Sequence, residues 1–360
     1  MENVLMIGAD VHSRTILTKF AVGRGAAATR SFENRGAGRE AMIQFFRERA
    51  GQWGAGRISF AYEASGCGFV LHDEMAASGI GCAVLAPSRM ERSAVHRRRK
   101  TDEKDAQRVL DLVRGEILAG NPMPRVWIPD RTTRDDREVT RTRLDLGEKA
   151  TKVKTQVQML LTRYAVEKPE GMGTNWSRRH RQWLAELAAA EAPLQPGARC
   201  ALQSLLRQLH DLEGEIARLD QALEELAKTP RYAAKVKAAT ALKGVGILTA
   251  LVFLTELGDL GRFNNRRQIG AYLGLVPSSH ESGEQADRKG HITRQGSARV
   301  RKVLCQASWS RIRCDLATQL LHARLVKKNP NKKKIAVVAC MRRLAILLWH
   351  KTVQVQGTPA

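Results

Sequence analysis

Aromatic side chains are scarce, 5% of 360 residues, which excludes a protein that holds single strands mainly by stacking bases along an extended platform. Cysteine is sparse and scattered: Cys67, Cys82, Cys200, Cys305, Cys314 and Cys340 form no CxxC pair and no Cys/His spacing that a zinc site needs. These residues read as reduced thiols of a cytoplasmic protein. The first residues, with Glu2 and Asp10, lack the basic and apolar regions of a secretory signal. The most apolar long window, Ala239 to Leu257, is broken by Lys243, Gly244, Gly246 and Glu256, which argues against a membrane span. Low-complexity tracts and internal repeats are also missing. What the chain has in excess is positive charge, 60 Lys and Arg against 36 Asp and Glu, a formal net of +24. Backbone phosphates are the natural target of such a surplus. Hydrophobic residues at 43% supply more than one core, and the length suits two to three domains.

The first hundred residues alternate strand and helix signals. Val4–Ala9, Thr15–Val22 and Ala28–Phe32 read as three consecutive strands in hairpins. A helix over Arg39–Arg49, with Met42, Phe45 and Phe46 on one face, leads to a strand over Arg57–Tyr62 that ends at Glu63. A helix over Phe69–Ala77 and a strand over Gly81–Leu85 follow, which together predict a mixed α/β sheet with helices packed on it. Two long helices come next. Val139, Leu146, Ala150, Val153, Val157, Leu160 and Tyr164 recur at helical steps. Leu205, Leu209, Leu212, Ile216, Leu219, Leu223 and Leu226 step four, three, four, three, the seam of a coiled coil folded back on itself or shared with a second chain. Breaks at 168–175 and 192–197 permit a reversal, and Pro230 closes the second helix. The remainder is mostly helical and basic, with one polar loop from Pro277 to Gly296.

Four carboxylates stand out by position. Asp10 and Glu63 end the first and fourth strands, and Asp102 and Asp105 share one face at the start of a helix over Asp102–Val113. If those strands are neighbours and the helix packs over their ends, the four acids converge. Such a cluster calls for cations, and two Mg²⁺ ions about 4 Å apart would neutralise it and clamp a phosphate. A strand-ending Asp is also a common turn former and Asp102 a natural helix cap, so the pattern alone leaves both readings open. Arg97, Arg98, Arg99 and Lys100 precede the acidic pair and read either as a solvated run or as a grip on nucleic-acid backbone. Leu242 to Ala250, around Lys243, Gly244 and Gly246, fits either a helix-hairpin-helix unit or an ordinary turn. In the late loop Ser278, Ser279 and Ser282 precede Arg288, Lys289, His291, Arg294, Arg299 and Arg301; the residue types alone make none of the serines a nucleophile. Lys327, Lys328, Lys332, Lys333, Lys334, Arg342 and Arg343 flank a helix over Ile335–Trp349 and form either a second backbone-contact surface or a solvated basic face.

Taken as a set, Met6-Ile7-Gly8-Ala9-Asp10, Tyr62-Glu63-Ala64-Ser65-Gly66 and Lys100-Thr101-Asp102-Glu103-Lys104-Asp105-Ala106 resemble the acidic motifs of the DEDD transposases of the bacterial insertion sequence one-hundred-and-ten family. Gly261-Arg262-Phe263, Ala271 to Pro277, Glu281-Ser282-Gly283, Gly290-His291-Ile292-Thr293 and Lys327-Lys328-Asn329-Pro330 resemble the second domain of the same family. The chain departs from the family pattern at Ala9 and in the acidic stretch Glu284 to Asp287. The resemblance implies a RuvC-like, RNase H-type α/β domain over residues 1–130, with Asp10, Glu63, Asp102 and Asp105 as Mg²⁺ ligands. It implies a coiled-coil or helical linker domain over 131–231 and a mostly α-helical transposase domain over 232–360. There Ser282, the serine that precedes glycine at the family's position, attacks a DNA phosphate to form a covalent phosphoserine. The implied partners are donor and target double-stranded DNA, a structured guide RNA and further copies of the chain in a dimer or tetramer, with acids and serine from different protomers and no membrane. The competing expectations are a Holliday-junction-like endonuclease that uses the same acids with water, and a non-enzymatic nucleic-acid-binding scaffold.

Overall fold

A computed structural model describes residues 3–90, 101–279, 289–328 and 330–356. The chain divides between Ile128 and Pro129 into two compact units.

The first unit is built on a five-stranded sheet. Its strands are β1 (Val4–Val11), β2 (Thr15–Val22), β3 (Ala28–Glu33), β4 (Arg57–Glu63) and β5 (Gly81–Leu85), in the spatial order β3-β2-β1-β4-β5. β1, β2 and β3 are antiparallel neighbours, whereas β4 runs parallel to β1 and β5 parallel to β4. This is the mixed α/β arrangement the sequence pattern predicts, and it is consistent with an RNase H-like domain. β1 reads VLMIGADV because it is central and covered on both faces. Its odd-numbered residues Leu5, Ile7, Ala9 and Val11 join Met42 and Phe46 of α1 (Gly36–Gln52) and Leu71 and Met75 of α2 (Val70–Ala77) in one core. Its even-numbered Val4 and Met6 join Val109, Leu110 and Val113 of α3 (Asp102–Ala119) in a second core on the opposite face. The period of two along a strand thus assigns Gly8 and Asp10 to the α3 side. On β4, Phe60 and Tyr62 face the first core and Ala61 the second, which places Glu63 on the α3 side as well.

The second unit is helical. α4 (Arg131–Arg163) and α6 (Pro196–Lys228) pack side by side and run antiparallel: Arg143 pairs with Asp220 at 2.7 Å, while Val157 and Leu160 share a core with Ala198 and Leu202. The breaks expected between them enclose α5 (Arg178–Ala189), capped by Ser177 and closed over the pair through Leu184 and Leu187. Of the heptad seam in α6, Leu209 and Leu223 are buried and Leu205, Leu212, Ile216, Leu219 and Leu226 are half-buried. In α4 the buried positions include Arg137, Thr140 and Leu144, which the expected seam omits, while Tyr164 falls at the C-cap and is exposed. The reason is that the first half of α4 meets a second neighbour, α8 (Ile247–Leu257), through Thr140 and Arg137.

α8 is buried along nearly its whole length. It sits with α7 (Ala233–Thr240), α9 (Arg266–Tyr272), α10 (Ala298–Cys314) and α12 (Lys333–Gln356) in the largest core of the chain. The apolar window in the sequence is therefore the centre of a fold; among the described residues no helix is long and apolar enough to cross a membrane. β6 (Pro277–Ser279) and β7 (Lys289–Ile292) form a short antiparallel hairpin inside the polar loop. Its base is tight. A Cβ on Gly296, at φ +73°, would meet the Tyr272 carbonyl oxygen at 2.0 Å. α11 (Leu316–Lys328) joins α10 to the last helix.

Candidate metal centre

The parallel pairing of β1 with β4 matches Ala9 to Tyr62, so Asp10 and Glu63 lie at neighbouring strand ends. α3 reaches the same place because of Gly8: a Cβ there would lie 2.1 Å from the Leu110 backbone nitrogen, so only a glycine lets the helix settle against β1. The first turn of α3, capped by Thr101 through the Lys104 N–H, then delivers Asp102, Glu103 and Asp105 over the strand ends. Acids at a helix N-terminus are favoured by the helix dipole, which offsets part of their mutual repulsion.

The Asp10 carboxylate, the Asp102 carboxylate and the His12 imidazole offer donor atoms that all lie within 4.8 Å of one another. His12 Nε2 stands 3.1 Å from Asp10 Oδ2 and 3.5 Å from Asp102 Oδ1. Burial pushes the Asp10 carboxyl above the ordinary aspartate range; His12 opposes this, and the Asp102 and Asp105 carboxylates push it further up. Asp105 thus lies within electrostatic reach of Asp10, half-buried on the inner side of the first turn. Glu63 is directed differently, for the Arg108 guanidinium of α3 donates to its carboxylate. Lys19 of β2 stands 3.7 Å from Glu103. Two carboxylates and an imidazole on one partly exposed surface make a donor set that suits a divalent cation, which would offset both the burial of the Asp10 carboxylate and its repulsion by Asp102 and Asp105.

Sequence reasoning missed His12 and Arg108. The first was signalled by its spacing, since residue i+2 of a strand-ending aspartate faces the same side. The second carries no such mark, because nothing in the local pattern ties Arg108 to Glu63.

Ser282 lies outside the described residues, as do Arg97, Arg98, Arg99, Lys100 and Arg288. The hairpin strands end at Ser279 and resume at Lys289, with Ser282 in the segment between. Lys243 is exposed in the turn between α7 and α8, where its carbonyl accepts from Arg311 at 2.9 Å. Arg294 is exposed just past β7, and Arg299 is ion-paired with Asp145 at 3.2 Å. Lys327 and Lys328 end α11, Lys332 closes the short turn Pro330–Lys332, and Lys333 and Lys334 open α12; the four in the helices are exposed.

Two family models match the chain. A DEDD-type IS110 transposase model covers residues 7–166, which includes β1 from Ile7 onward, the other four strands of the first unit's sheet and the first turn of α3. A model described as the transposase IS116/IS110/IS902 family covers residues 236–323. Among curated proteins, the chain is similar to the putative transposase y4qE of Sinorhizobium fredii, 32% identical over 254 residues, 70% of this chain and 58% of that protein. It is similar to the putative transposase y4rJ of the same organism, 29% identical over 305 residues, 80% of this chain and 75% of that one. The transposase for insertion sequence element IS1111A of Coxiella burnetii is 24% identical over 291 residues, 79% of this chain and 75% of that one. The chain therefore spans somewhat over half the length of y4qE and three quarters of the other two.

Proposed function

We propose, from the match of IS110-type transposase models to residues 7–166 and 236–323, that the chain is a transposase of that family and recombines DNA by phosphoryl transfer, with Asp10, Glu63, Asp102 and Asp105 as the metal-binding acids and Ser282 as the nucleophile. The observation that carries the reading is the convergence of Asp10 and Asp102, from elements ninety residues apart in sequence, on one small volume at the end of the central strand.

The Ser282 hydroxyl oxygen attacks the phosphorus of a DNA strand; as the Oγ–phosphorus bond forms, the bond to the 3′ oxygen breaks, the serine proton passes to solvent, and the leaving 3′ oxygen takes one up to become a hydroxyl. The phosphoserine keeps the energy of the broken linkage, so a second 3′ hydroxyl can reverse the step at a new junction without a high-energy cofactor. Divalent ions held by these acids, Mg²⁺ as a pair, would supply charge stabilisation to the phosphoryl and leaving oxygens. Asp10 and Asp102 would hold such ions, Asp105 would add negative charge from the inner side, and Glu63, now held by Arg108, would join them on release from that guanidinium.

Residues 1–130 form the RuvC-like part, 131–231 the coiled-coil linker that brings protomers together, and 232–360 the serine-bearing part. The acids of one protomer work with the serine of another. The surplus of +24 and the clusters at Arg97–Lys100, Lys243, Arg288–Lys289, Arg294, Arg299, Lys327–Lys328 and Lys332–Lys334 supply counter-charge for donor and target DNA and for a structured guide RNA. The setting is the cytoplasm.

The test is a covalent adduct. The protein is incubated with DNA from the ends of its element and the RNA that co-purifies with it, then denatured and resolved by mass. The reading expects a protein–DNA species that is absent in Ser282→Ala. Cleavage without an adduct would instead identify an endonuclease that uses water.

A further inference from the structure

We propose that His12 is a third protein ligand of this centre, an imidazole donor that shifts its preference from Mg²⁺ toward Mn²⁺. The inference rests on the divalent-ion reading above and specifies the ion.

Three observations support it. The even-numbered positions of β1 face α3, and continuing that alternation one step past the strand end brings His12 to the side of Asp10. The His12 backbone is fixed at both polar groups: its N–H donates to the Thr15 carbonyl at 2.9 Å, and its carbonyl accepts from the Asn34 side-chain amide at 2.6 Å. The β1–β2 turn and Asn34, just past β3, therefore fix the backbone from which the imidazole projects. Finally, the separations of Nε2 from Asp10 Oδ2 and Asp102 Oδ1, 3.1 and 3.5 Å, are those of neighbouring corners of one coordination sphere. Ligands about 2.1 Å from an octahedral ion stand about 3 Å apart.

The chemistry of the donors sets the ion. Carboxylates and water satisfy Mg²⁺, which dehydrates reluctantly and gains little from nitrogen. Imidazole binds first-row transition ions better than it binds Mg²⁺, and among them Mn²⁺ stands nearest to Mg²⁺ in its preference for carboxylate and water in an octahedral site.

The experiment uses the full-length chain, stripped with a chelator and titrated with Mn²⁺ while free ion is followed by electron paramagnetic resonance. Mg²⁺ is measured by competition, and pulsed spectra of the bound Mn²⁺ are searched for nitrogen coupling. The wild type is expected to bind Mn²⁺ more tightly than Mg²⁺ and to show the coupling. His12→Ala, at a side chain 46% exposed, is expected to keep its melting temperature, lose Mn²⁺ affinity by about tenfold or more, lose the coupling and change little toward Mg²⁺. Saturable Mn²⁺ binding that Asp10→Asn abolishes, but that shows no nitrogen coupling or keeps it in His12→Ala, overturns the assignment of His12 and leaves the metal centre standing. A wild type with no saturable site for either ion removes the metal centre and the assignment together.

Discussion

Gly8 and Leu110 meet backbone to backbone: a Cβ on the glycine would lie 2.1 Å from the leucine nitrogen and 2.5 Å from the Ala106 carbonyl oxygen. This contact sets how closely α3 lies on β1, and with it the position of Asp102 and Asp105 over Asp10. Gly8→Ala must lift the helix or break its packing. It is expected to cost about 3 kcal/mol of stability, at the upper end of overpacking effects, and to abolish divalent-ion binding. Chemical denaturation and a Mn²⁺ titration check the two effects, and an unchanged midpoint would contradict the contact.

The raised Asp10 carboxyl makes a prediction about pH. A folded-state value above the ordinary 3.8 means that the folded chain holds the proton longer than the unfolded chain. The metal-free first unit therefore loses stability as pH rises through that window and keeps the loss above it. Asp10→Asn, without the charge, is expected to melt above the wild type at neutral pH when divalent ions are absent, with the difference vanishing below about pH 3.8. Adding divalent ions should raise the melting temperature of the wild type, by mass action on the folded state, and leave the variant unmoved. Melting curves across pH, with and without Mn²⁺, read both effects.

Under the proposed mechanism Arg108 would compete with a cation for Glu63. Arg108→Gln removes the guanidinium that donates to that carboxylate and is expected to raise divalent-ion affinity severalfold while lowering the stability of the metal-free chain by about 1 kcal/mol. Unchanged affinity in the calorimeter would mean that Glu63 takes no part in ion binding.

In the second unit Arg137 closes the C-terminus of α8. Its guanidinium is buried and donates to the carbonyls of Thr255 at 2.6 Å and Glu256 at 3.0 Å, in the last turn, where carbonyls have no helical partner. Arg141 holds the Glu256 carboxylate beside it at 2.7 Å. Arg137→Met leaves both carbonyls buried and unsatisfied, at an expected cost of about 3 kcal/mol. Hydrogen exchange should show the last turn of α8 opening first.

The sheet of the first unit was largely legible because its strands alternate with turn residues and its helices carry one apolar face. Met42 and Phe46 are where their spacing puts them. Asp10, Asp102 and Asp105 were legible as candidates because each ends or begins an element, where side chains become available. His12 escaped because a lone histidine after a strand has many uses, and its place beside Asp10 and Asp102 emerges only in the folded turn. Arg108 and Arg137 escaped because their partners lie 45 and 118 residues away, and a guanidinium's role is set by the carboxylate or carbonyl it meets. Leu144 displaced the expected Leu146 because α4 has two neighbours, and a repeat with one seam describes only one of them.

Dependence of strand cleavage on the acids at the end of β1 and the start of α3 is the core of the proposed mechanism. Its most direct test is the yield of covalent protein–DNA adduct from Asp10→Asn and Asp102→Asn beside the wild type, each first shown to be folded by circular dichroism. Both variants are expected to form no adduct and no longer to take up Mn²⁺. Adduct formed at the wild-type rate by folded Asp10→Asn would contradict that mechanism.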